Sequence, residues 1–265
     1  MKATLSIKLK QLLIFACLIA LSLFLSGLVE NRLFSFLPLG CILVILSNWI
    51  MFKQEGLSLN YLGIDKSHKP INKILIGFLL GLCFVFLNLC IQIVVKGGNF
   101  QINHSPDIKA LLIALIVVFP TVIVQQFYIL GYGFYKAKQI GGNTFAVFVT
   151  SIVFISMHDI SGNMWNLPFQ LSNYFFAILM FSTALNRSGS ILLPIGLHWG
   201  NNFANSYLIT QNEMKTSYIF LAHQNDFIKD YYQYFGLLIL GIAVPLIFIT
   251  AVRILFKDKS EYMMY

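Results

Sequence analysis

Two histidines lie four residues from a polar or aromatic partner within strongly apolar stretches, as Phe154…His158 and His198…Asn202. An i,i+4 pair shares one helix face, so each motif presents its two side chains together. Imidazole can move a proton near neutral pH or ligate a metal. An ionisable residue inside a membrane marks a functional site by default. A third element joins them, the carboxamide doublet Gln125-Gln126, late in another apolar run. Carboxamides donate and accept hydrogen bonds but take up no proton. The five polar residues, His158, His198, Asn202, Gln125 and Gln126, therefore offer hydrogen-bonded binding. They offer hydrolysis only if an imidazole serves as the base.

The elements that must position them are membrane helices. The chain has 265 residues, 58% of them hydrophobic and only 11% charged, against about 25% charged in an average soluble domain. Apolar runs cover roughly residues 11–28, 33–52, 71–95, 108–130, 144–157, 171–185, 190–209 and 234–256. A span takes about 20 residues at 1.5 Å each. The fifth and sixth runs are short and interrupted by polar residues. Eight helices is the economical count, giving an all-α, polytopic membrane bundle. Residues 1–265 form one integral-membrane domain.

With eight spans and an inner N-terminus, most of the 18 lysines and arginines fall on the inner side, which predicts both termini in the cytoplasm. That bias also accounts for the net charge of +8. No basic stripe is interleaved with exposed aromatics, so no nucleic-acid partner is expected. The first run is long for a signal h-region and lacks an A-x-A site, which predicts an uncleaved first helix. Cys17, Cys41, Cys83 and Cys90 fall within spans at no metal-type spacing and read as packing residues. The loop at 131–143, with Gly131, Gly133, Gly141, Gly142, Lys136 and Lys138, is predicted to be cytoplasmic. The 210–232 loop reads as a solvated outer cap. Linear counting puts His158 near the outer side and Gln125 nearer the inner side.

At these residues the chain resembles the CPBP family, the CAAX proteases and bacteriocin-processing enzymes also called the Abi family. That family has three motifs on three helices of an eight-helix intramembrane fold: E-E-x-x-x-R, F-x-x-x-H and H-x-x-x-N/D. The second is intact as Phe154…His158 and the third as His198…Asn202. The lead-in Asn186–Ile195 and the loop Leu57–Ile64 also resemble the family's. The resemblance spans about residues 50–205.

The first motif departs from the pattern. Gln125, Gln126 and Leu130 stand where the family has glutamate, glutamate and arginine. The resemblance implies that glutamate and a histidine activate the attacking water, while the other His and Asn orient it or hold the oxyanion. A lost general base is worth roughly 10²–10⁴-fold. The three replacements are mutually consistent, because an unpaired arginine at that depth would be expensive. Asp159 adjoins His158, but helical neighbours point about 100° apart. Asp107 and Glu213 lie in predicted outer loops.

His158 and His198 would give a metal two nitrogens, and Asn202 would add a weak oxygen. Zinc sites take three or four protein ligands, so no cofactor is expected, zinc included. The resemblance and the missing acids together imply a degenerate, non-catalytic site in a multi-pass protein of the cell membrane, bacterial by the family's company. Such a site would bind a membrane peptide or partner transmembrane helix, with Phe154 and Leu130 in the substrate cleft. Bacteriocin self-immunity and control of envelope proteins are roles of this kind. The alternative is an active intramembrane endopeptidase working from the remaining His/Asn site. A transporter is disfavoured, since no inverted repeat is evident and charged intramembrane residues are nearly absent.

Overall fold

The computed structural model describes residues 4–28, 39–64, 69–96, 99–158, 160, 167–210, 219–222 and 236–256. Eight helices account for most of them: α1 (Leu5–Leu28), α2 (Leu39–Gln54), α3 (Pro70–Lys96), α4 (Ile108–Leu130), α5 (Tyr132–Ser156), α6 (Leu167–Ser188), α7 (Leu192–Phe203) and α8 (Val244–Leu255). A π-helical segment, Ala204–Leu208, extends α7, and another, Gly236–Ala243, leads into α8. The molecule is an all-α membrane bundle. Leu5–Leu28, Pro70–Val94, the run Ile108–Ser156 and Gly236–Leu255 are long and apolar enough to cross a membrane, and Leu39–Gln54 is apolar but shorter. Large apolar side chains such as Leu13, Phe24, Leu79, Ile116 and Leu246 are exposed, as expected of helices whose solvent is lipid.

Two facing glycine pairs set the tightest helix contact. Gly77 and Gly81 on α3 meet Gly196 and Gly200 on α7. A Cβ on Gly77 would lie 2.3 Å from the Leu193 carbonyl oxygen, and one on Gly196 2.2 Å from that of Ile74. This is the small-xxx-small contact of membrane helices, in which bare glycine lets backbones touch. It clamps one face of α7 and leaves another for His198 and Asn202.

The loop expected at 131–143 is mostly helix. Tyr132–Ser156 is one element, kinked at Gly141 and Gly142, where φ reaches +79° at Gly142. The break in the chain falls earlier, at Gly131 between α4 and α5. There Asn48 of α2 substitutes for missing helix bonds, accepting from the Tyr132 N–H at 2.7 Å and donating to the Phe127 carbonyl at 3.2 Å. A Cβ on Gly131 would sit 2.1 Å from Asn48 Oδ1, so only glycine fits.

The Leu57–Ile64 loop carries a short 3-10 turn, Leu59–Leu62, capped by Ser58 and ended by Gly63 in the left-handed region. It seats on the α6–α7 turn. Ile191 N–H donates to the Leu62 carbonyl at 2.8 Å, and Ser190 Oγ donates to that of Gly63 at 2.5 Å. Outside the bundle, β1 (Asn99–Ile102), β2 (Ile209–Thr210) and β3 (Ile219–Ala222) form a small sheet in the order β1-β3-β2, β1 antiparallel and β2 parallel to β3. The sheet ties the α3–α4 connection to the segment after α7, and nothing in the hydropathy pattern indicated it.

Candidate functional site

Gln126 sits in the last turns of α4, fully buried. Its Nε2 lies 2.9 Å from Nδ1 of His198, a residue of α7 that is 5% exposed. Asn202, one turn further along α7, lines the same cavity as His198. The His198 ring stacks on Phe181 of α6, with centroids 4.9 Å apart, and faces the Phe154 ring at 6.3 Å. Trp199 steadies α7 from its other side, its indole N–H donating to the Leu115 carbonyl of α4 at 2.9 Å.

His158 follows the end of α5. Its Nδ1 donates to the Phe154 carbonyl at 2.7 Å, and its ring packs against Phe154 and Tyr174 with centroids 4.4 Å away in each case. Phe154 thus stands between the two imidazoles, and both open on one cavity of about 190 Å³. Other polar residues on its wall are Asn173, Tyr174, Asn201, Asn202 and Asn205; the apolar wall includes Phe84, Phe181 and Pro245. No lining residue carries a charged side chain other than a histidine.

Of the expected residues, His158, His198, Asn202, Phe154 and Gln126 come together, across the depths that linear counting had separated. Gln125 does not meet the histidines by a hydrogen bond, and its Oε1 is buried without a partner. Leu130 is fully buried in the main core cluster and is not on the cavity wall. Asp107 is spent as the N-cap of α4, accepting from the Ala110 N–H at 2.9 Å. Asp159, Glu213 and most of the 210–232 loop lie outside the described residues. Cys17, Cys41, Cys83 and Cys90 are free thiols. No group of three His, Cys, Asp or Glu side chains able to hold a metal occurs among the described residues.

Three asparagines of the wall were missed. Asn201 and Asn205 have the same i,i+4 signature as the third motif, and the switch from α to π winding at Ala204 carries Asn205 onto Asn201 (Nδ2 to Oδ1, 2.6 Å). π segments recur at functional sites. Asn173 had no signal beyond being polar in an apolar run.

A second polar centre was also missed. Glu55, just past α2, pairs with Lys136 of α5 at 2.5 Å, and Lys136 is 2% exposed. Tyr132 and Tyr135 both donate to the Glu55 carboxylate, and the Lys136 ammonium lies 5.3 Å from each of their ring centroids. Tyr61 closes the group against Tyr135. Burial first, and the Glu55 charge second, push its phenol up to about 12. By sequence, Lys136 falls among the cytoplasmic loop charges. It is buried because the segment around it is helix, packed on α2.

An apolar helix bundle closed around a His/Asn/carboxamide chamber defines an intramembrane protein of the kind the three motifs describe. Residues 107–204, which hold all three, match the family model for Type II CAAX prenyl endopeptidase Rce1-like proteins. Over those residues the chain is similar to the CAAX protease-like CPBP family. No curated protein and no solved structure matches it.

Proposed function

We propose that the chain is a CPBP-fold pseudo-protease, a binding or regulatory protein that holds a membrane peptide or partner transmembrane helix in the former substrate cleft without cutting it. One observation carries this reading: the group against His198 is the Gln126 carboxamide, at 2.9 Å, where the family pattern has a carboxylate able to act as base. Leu130 supports it, since the acid and its arginine partner are replaced together. In this reading the chain is one domain of eight spans, with its family core at about 50–205 and both termini in the cytoplasm. It serves in a bacterial plasma membrane, in bacteriocin self-immunity or control of envelope proteins.

The second reading is a surviving endopeptidase. It is favoured by His158, whose Nδ1–H is held by the Phe154 carbonyl so that Nε2 keeps its lone pair as a base. Restoring the motif tests the first reading. Gln125→Glu, Gln126→Glu and Leu130→Arg combined should cleave a panel of membrane peptides that the parent leaves intact. A folded triple variant that stays inert on that panel would count against a preserved cleft.

A further inference from the structure

The hydrogen bonds of the chamber fix where each imidazole carries its proton. A carbonyl only accepts, so His158 is protonated on Nδ1 and its acceptor is Nε2. His198 is arranged the other way. The amide nitrogen of Gln126 faces Nδ1, so Nδ1 must accept and the proton sits on Nε2. Turning the Gln126 amide over would exchange these roles. It would also aim both N–H donors at the spot where Oε1 now lies buried without a partner. Orphaned buried donors are rarer than under-used acceptors, so the orientation found is the cheaper one.

We propose that Gln126 acts as a positioning residue that holds His198 in the opposite tautomer to His158, so that the chamber presents a seat for an uncharged amide and no two-nitrogen seat for a divalent metal. His158 Nε2 accepts, and the Asn202 amide on the same cavity wall offers N–H donors. A peptide bond supplies both complements. The uncharged wall gives a cation or carboxylate no counter-charge. A metal would need the lone pair of Nε2 on both rings, and only His158 has it. A carboxylate at 126 would accept from Nδ1–H, move the His198 proton and free its Nε2. The amide as ligand class rests on the binding reading above. The tautomers and the metal test do not, and a cleavage assay reports on that reading separately.

The test is side-chain nitrogen NMR of the full chain labelled with ¹⁵N-histidine in lipid nanodiscs, with signals assigned by their loss in His158→Gln and His198→Gln. The wild type should show one Nδ1–H ring, His158, and one Nε2–H ring, His198. Gln126→Glu, nearly identical in shape, should move His198 to Nδ1–H. It should also raise cobalt(II) affinity by about 10–100-fold, the range of outer-shell effects on metal sites. N-acetyl-leucinamide should shift the His158 Nε2 signal in the wild type and compete with nothing at the metal. A wild-type His198 protonated on Nδ1 would overturn the proposal. So would stoichiometric cobalt binding by the wild type, equal to that of the variant. An unmoved His158 signal at saturating amide would overturn the ligand class. Should Gln126→Glu fail to fold, the wild-type spectrum and cobalt titration still decide.

Discussion

The bundle holds two buried polar centres built on opposite principles. At Glu55 and Lys136, full charges are kept and satisfied: the carboxylate meets an ammonium and two phenols, and the ammonium also lies beside two aromatic rings. At Gln126, His198, His158 and Asn202 there is no carboxylate, ammonium or guanidinium, and partners are held one hydrogen bond at a time. The first centre joins α2 to α5 and none of its residues lines the cavity of about 190 Å³; the second opens on it. Burying a charge is tolerable only with its partner in place. A chamber that must admit ligands cannot guarantee that partner. Where the family pattern has glutamate and arginine this chain has Gln126 and Leu130, and the demand is removed.

The largest effect is expected where charge is left unpaired. Lys136→Met strands Glu55 and should cost about 3–5 kcal/mol of stability, as breaking a buried pair does. Glu55→Gln added to it should restore most of that loss, measured as the unfolding midpoint in detergent. Equal losses in single and double variants would mean that shape, and not charge, matters there.

Next comes the clamp on α7. Gly196→Val pushes a side chain into the Ile74 carbonyl and should cost about 1–3 kcal/mol or more, the overpacking range. It should displace His198 while leaving the Glu55 centre intact. Cysteine cross-linking of α3 to α7, beside α2 to α5, would separate the two.

Gln126→Leu in the neutral chamber should cost far less, on the order of 1 kcal/mol. Membrane hydrogen bonds average about 0.6 kcal/mol, and the change also removes the orphaned Oε1. A loss as large as that of Lys136→Met would erase the contrast between the centres.

The smallest effect is alkaline. The Tyr61 phenol ionises near 10 when unfolded and at about 12 when folded. Its contribution to stability is therefore whole below pH 10 and fades as pH rises towards 12. Tyr61→Phe should flatten that part of the stability profile; an unchanged slope would remove Tyr61 from the charged centre.

Most of this contrast was not equally legible beforehand. The bundle, the bounds of α4 and the pairing of Phe154 with His158 and of His198 with Asn202 followed from apolar runs and i,i+4 spacing, which report helix faces directly; that the two pairs meet followed from the family resemblance, against the depths of linear counting. The choice of Gln126 over Gln125 did not, because adjacent helical residues diverge and the sequence does not say which faces inward. Lys136 was misplaced for a related reason. Glycines at 131, 133, 141 and 142 suggest a loop, yet the chain breaks only at Gly131, against Asn48, and at the Gly141–Gly142 kink, where Gly142 has positive φ. Gly77-x-x-x-Gly81 and Gly196-x-x-x-Gly200 were in plain view as a helix-contact pattern and went unused.

Incubating the purified wild type and His198→Ala in bilayers with a broad panel of membrane peptides, read by mass spectrometry, bears most directly on the claim that the neutral chamber binds and does not cut. The account predicts intact peptides with both proteins. A defined cut made by the wild type and abolished by His198→Ala would contradict it.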